Sequence, residues 1–142
     1  MGQLGKKILF LVLGFFFFSC NQDEKKINKN YFITNQFIEN VGNYSNPKFK
    51  VMVKEFVDET LAIVIADKRN KNLYQSDISM SFNKGMSWFI YYEKENIFWI
   101  YVSDYNLLQR IEYDDLSKKM IAKNYDINSQ YLPKILRKKI LK

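Results

Sequence analysis

From Phe49 onward the hydrophobic pattern has a period of two. Phe49, Val51 and Val53 alternate with Lys50, Met52 and Lys54, the spacing of a strand whose successive side chains leave on opposite faces. Residues 61–66 form an unbroken β-prone apolar run, which predicts a central strand buried on both faces. A polar turn over 67–72 follows. Ile78, Met80 and Phe82 then alternate with Asp77, Ser79 and Ser81 before the turn-forming Asn83, Lys84 and Gly85. Two aromatic and β-branched runs, 88–92 and 97–102, are joined by Glu93, Lys94, Glu95 and Asn96, and a further apolar stretch covers 107–113. Short connections between successive strands predict an antiparallel meander.

Elsewhere the period lengthens. Phe32, Ile33, Phe37, Ile38 and Val41 are spaced close to i, i+4 and predict a short helix over 31–41, broken by the Gly42–Pro47 stretch. Asp114 or Asp115 is placed to cap a helix running to about Lys123, with Leu116 and Met120 on one side; a further hairpin is the competing reading there. Pro133 can open a last helix, with Leu132, Leu136 and Ile140 in register. The expected fold class is α+β: one antiparallel β-meander sheet of about five or six strands with short flanking helices, in a single domain spanning residues 31–142.

The first twenty residues follow a different logic. Lys6 and Lys7 precede an apolar run over 8–18, interrupted only by Gly14. Eleven residues are too few for a helix to cross a bilayer core, which takes about 20, but they suit the hydrophobic region of a signal peptide. The end of the run, Phe17-Phe18-Ser19-Cys20, resembles the lipobox of bacterial lipoproteins. That resemblance implies a signal peptide over 1–19 and diacylglycerol attached to the thiol of Cys20. It places the protein in the cell envelope, moored by lipid, with the outer membrane as the expected site. Residues 20–30 are then a polar tether. Gln22-Asp23-Glu24 resembles the short acidic tags that send some lipoproteins to the cell surface; an ordinary solvated linker is the other reading, so the side of the membrane stays open.

Charge and composition narrow the chemistry. The 142-residue chain carries a formal charge of +7, but Lys6 and Lys7 belong to the leader. Lys134, Arg137, Lys138, Lys139 and Lys142 crowd the C-terminus, and between Cys20 and Pro133 basic and acidic residues balance at fifteen each. A nucleic-acid surface needs a basic excess on one face, so no nucleic-acid partner is expected. The C-terminal basic cluster is compatible with docking on lipid phosphates or an acidic partner, or with a packed helix whose basic face is merely solvated. Histidine is absent and Cys20 is the single cysteine. These absences exclude Ser-His-Asp and Cys-His catalysis, His-ligated zinc and intrachain disulfides. Only Gly42 and Gly85 lie beyond the leader, too few for a glycine-rich phosphate cradle. No cofactor or metal is expected.

Two candidate functions remain. The aromatic hairpin offers a stacking platform, with Tyr91, Trp99 and Tyr101 as the candidate binding surface; the competing reading is that both its faces are packed. The leading expectation is a non-catalytic binding protein of the envelope with a protein or glycan partner. The alternative is a carboxylate-dependent hydrolase of envelope glycans, for which Asp58/Glu59, Glu93/Glu95 and Asp114/Asp115 are the acidic pairs at hand.

Overall fold

A computed structural model describes residues 29–77 and 82–142. Within them the chain forms β1 (Lys29–Tyr31), β2 (Gln36–Ile38), β3 (Gly42–Ser45), β4 (Phe49–Glu55), β5 (Thr60–Asp67), β6 (Asn72–Gln75), β7 (Phe82–Asn83), β8 (Trp88–Lys94), β9 (Ile97–Val102), β10 (Leu107–Asp114), β11 (Lys119–Tyr125) and α1 (Lys134–Ile140). The expected signal peptide, Cys20, most of the expected tether and the Ile78/Met80 part of the expected alternation lie outside the described residues. None of the described helices is long and apolar enough to cross a membrane.

The strands build two sheets. The first has the order β1-β3-β4-β5-β6, with β7 also paired to β5; the second has the order β11-β10-β9-β8-β2. Every pairing is antiparallel except that of β1 with β3. Strands β8 to β11 follow one another as the expected meander. The chain enters at the edge of the first sheet and crosses to the far edge of the second as β2. It then returns to lay down β3 to β7.

The alternation read from the sequence explains why the sheets stack. Phe49, Val51 and Val53 of β4 and Leu61, Ile63 and Ile65 of β5 face Ile90, Tyr92, Phe98, Ile100, Val102 and Ile111 of the second sheet in one dry core. On β5 the intervening Ala62, Val64 and Ala66 are buried too, so this strand is enclosed on both faces, as its unbroken apolar run predicted. The odd-numbered aromatics of β8 and β9 point the other way. Phe89, Tyr91, Ile97 and Trp99 form a second cluster with Leu108 and the C-terminal Leu132 and Leu136. The molecule therefore has three layers: sheet, sheet and a C-terminal cover.

Two expectations are corrected and one open alternative, over 114–123, is decided. Residues 31–41 form no helix: Asn35 adopts a left-handed conformation at φ 63°, and β1 and β2 lie on either side of that turn. Phe37 and Ile38, adjacent in sequence, pack into opposite clusters, which a strand permits and a helix does not. Residues 114–123 form the β10–β11 hairpin, whose turn places Lys118 at φ 57° and is closed by Asp114 accepting from the amides of Leu116 and Ser117, both at 3.1 Å. In place of one sheet with several helices, the described residues hold two sheets and one α-helix, α1, where Pro133 predicted it.

Candidate functional site

The register brings Tyr91, Trp99 and Tyr101 onto one face of the second sheet, since Tyr91 lies opposite Trp99 and Phe89 opposite Tyr101. That face is covered. Tyr91 and Trp99 are each 2% exposed and Tyr101 is partly buried. Leu132 and Leu136 pack on the cluster, with Ile127 and Ile140 at its margin. The polar ends of the rings are engaged as well: the Tyr91 hydroxyl donates to Asn35 Oδ1 at 2.8 Å, and Trp99 Nε1 donates to Glu93 Oε2 at 2.8 Å. Burial raises the Tyr91 hydroxyl above its ordinary pKa. Ring contacts with Phe37, at 4.7 Å from Tyr91, and Tyr125, at 5.1 Å from Trp99, complete the packing. The trio is brought together as core rather than as a stacking platform.

The acidic pairs Asp58/Glu59 and Asp114/Asp115 are committed locally. Asp58 accepts from the amide and hydroxyl of Thr60, and Glu59 lies 3.5 Å from Lys84, which also bonds Glu55 at 2.8 Å. Asp115 bonds Lys48 at 3.0 Å and Asn96 at 2.8 Å. Hydrogen bonds hold Asp58, Asp114 and Asp115 below the usual carboxylate range, the first through Thr60, the second through Ser117 and the third through Lys48. They are fixed anions, unlike a general acid, which must carry its proton near neutral pH. Among the described residues no cluster of acidic side chains could hold a metal ion.

Two concave surfaces stand out among the described residues. A cleft of about 210 Å³ opens between the sheets beside β6 and β10, lined by Ile63, Phe82, Ile100 and Val102. Tyr74 spans it, donating to Gln109 Oε1 at 2.6 Å, and Gln109 in turn donates to Asn124 Oδ1 at 3.0 Å. Burial, reinforced by the charge of Asp77, pushes the Tyr74 hydroxyl up to about 12. The cleft is smaller than the roughly 300 Å³ at which small-molecule sites begin, and its polar groups tie the two sheets together.

The second surface is a groove of about 560 Å³ beside the β4–β5 turn, lined by Phe56, Val57, Asp58, Thr60, Leu61, Ala62, Ser76 and Asp77. The turn is rigid. Phe56 donates its amide to Thr60 O at 2.9 Å, Glu59 donates to Phe56 O at 3.0 Å, Asp58 caps Thr60, and Lys84 clamps the base through Glu55 and Glu59. Yet the groups it displays are apolar: Phe56 is 52% exposed and Val57 fully so. Polar side chains build the turn and apolar ones occupy its tip, the reverse of an ordinary solvated turn. Sequence reasoning passed over this pair, although Phe56-Val57 set between Lys54-Glu55 and Asp58-Glu59 was a legible anomaly.

No protein-family model matches the chain, and comparison with the curated proteins and with the solved structures finds no significant match either.

Proposed function

We propose that the protein is a lipid-anchored component of the bacterial cell envelope, moored through Cys20 at the outer membrane, and that it works by binding rather than by catalysis. Its recognition element is the β4–β5 turn with the adjoining groove, and its partner is an apolar segment of another envelope protein. The observation that carries this reading is the exposed Phe56-Val57 pair on a turn already locked by its own hydrogen bonds. A rigid turn loses little conformational freedom on association, and apolar side chains held out beside a groove gain by leaving water. A glycan partner loses the platform that the aromatic hairpin suggested, because Tyr91 and Trp99 are covered.

Two experiments test the two halves. Metabolic labelling with a fatty acid should mark the wild type and fail on Cys20→Ser; an unlabelled wild type removes the anchor. A photo-crosslinking residue at position 57 should give one discrete adduct in intact cells, and the same residue at Lys68, at the opposite end of β5, should give none. Phe56→Ser, whose side chain is half exposed and outside the core, should weaken the adduct. An absent adduct, or one indifferent to Phe56→Ser, removes the binding site.

A further inference from the structure

The outer side of the C-terminal segment presents a surface that the proposed partner site does not use. From position 127 to the end the chain contains no acidic residue. Helix α1 buries Leu136 inward, which directs the opposite side to solvent. Along that side Tyr131, Ile135 and Leu141 are 77%, 43% and 71% exposed, interleaved with the exposed Lys134, Lys138 and Lys142. Within α1, Lys134, Ile135 and Lys138 lie on the side away from Leu136, with Tyr131 just before the helix and Leu141 and Lys142 just after it.

Lys139 does not belong to this outer side: its ammonium turns to Glu39 at 2.6 Å and lies 5.4 Å from the centre of the Phe37 ring. Arg137 is likewise engaged, donating to Ser129 O at 3.1 Å. What is left facing outward is three lysines that pair with no carboxylate among the described residues, mixed with three apolar side chains. This combination suits the interface of an anionic bilayer, where ammonium groups meet lipid phosphates and apolar groups enter the headgroup boundary.

The chain path points to the same occupant. The segment arriving from position 20 enters the fold at β1, and only a four-residue connection separates β1 from β2. Strand β2 carries Phe37, and Glu39, one residue beyond it, holds Lys139 of α1. Through β2 the entry strand is joined to the part of the second sheet that α1 packs beside, although β1 itself belongs to the first sheet. A ten-residue tether reaches at most roughly 35 Å when extended, which confines this basic surface close to the membrane and lets individually weak contacts be occupied.

We infer that Tyr131, Lys134, Ile135, Lys138, Leu141 and Lys142 form a docking face for anionic phospholipid, which lays the second sheet toward the membrane and turns the first sheet with its groove away from it. This deepens the proposed function and rests on its lipid anchor only for the proximity. The test uses the full chain on vesicles of phosphatidylcholine with or without phosphatidylglycerol. An amine-reactive reagent is applied to the vesicle-bound fraction, and modification is read by peptide mass spectrometry, with Lys68 and Lys71 in the β5–β6 turn as internal references. Lys134, Lys138 and Lys142 should react at least about fivefold more slowly on the anionic vesicles, and high salt should restore the rate. Slowed amide exchange in α1 should accompany this and vanish in the variant Lys134→Gln, Lys138→Gln, Lys142→Gln, which leaves the packed side of the helix intact. Equal rates on both vesicles, or exchange protection that survives in the variant, overturn the docking face. The same digest reports the mass of the Cys20 peptide, so a missing acyl group overturns the anchor separately from the lysine result.

Discussion

At the scale of single residues, a few polar side chains do work that their neighbours cannot. Asn46 is the one buried polar residue among those described. Its Oδ1 accepts from the amides of Lys48 and Phe49 at 2.8 and 2.7 Å, closing the β3–β4 turn. Asn46→Ala would leave two amides without partners where water is scarce. We expect a loss of roughly 1–3 kcal/mol, read by urea denaturation of the purified protein. Next to it, Lys48 bonds both Asn96 and Asp115 and stands 4.8 Å from the centre of the Tyr113 ring. The turns of both sheets at that end meet on this one ammonium group. The contacts of Lys48 with Asn96, Asp115 and Tyr113 were not visible in the sequence, because each joins positions dozens of residues apart.

At the scale of elements, the hydrophobic period was a sound guide where strands are long. The runs over 49–54, 61–66, 88–92, 97–102 and 107–113 all became strands. It misled over 31–41, where two three-residue strands on either side of a left-handed Asn35 produce apolar spacings that imitate a helical turn. The C-terminal helix was legible from Pro133 and the Leu132, Leu136, Ile140 register. Its role was not: α1 closes the outer face of the second sheet and thereby decides that Tyr91 and Trp99 are core. Leu136→Ala should therefore cost about 2–5 kcal/mol and shift tryptophan emission to longer wavelength as water reaches Trp99. Unchanged stability and emission would mean that α1 does not seal this face.

At the scale of the whole molecule, the two sheets are joined across their open side by Tyr74, whose hydroxyl bonds Gln109. Its pKa is raised to about 12, so folding favours the neutral phenol. The stabilisation is complete below the ordinary tyrosine value near 10 and is lost as pH rises from there through about 12. Burial also raises the tyrosines at 44, 91 and 92, in the same direction. Stability should fall steeply on the alkaline side, and Tyr74→Phe should flatten that limb while costing about 1 kcal/mol at neutral pH through the lost hydrogen bond. Denaturation midpoints across pH 8–12 measure both effects; identical alkaline slopes in wild type and variant would contradict the assignment.

The sequence by itself determined the strand runs, the meander from β8 to β11, the helix after Pro133 and the absence of histidine- and thiol-based catalysis in the folded part, because periodicity and residue inventory are local properties. Only the tertiary structure decided that the strands divide into two stacked sheets, that the aromatic hairpin is sealed, and that Phe56, Val57 and the outer lysines of α1 are the groups facing solvent. A period of two states that a strand has two faces. Which of them meets another layer depends on residues far along the chain, and exposure is a property of that meeting.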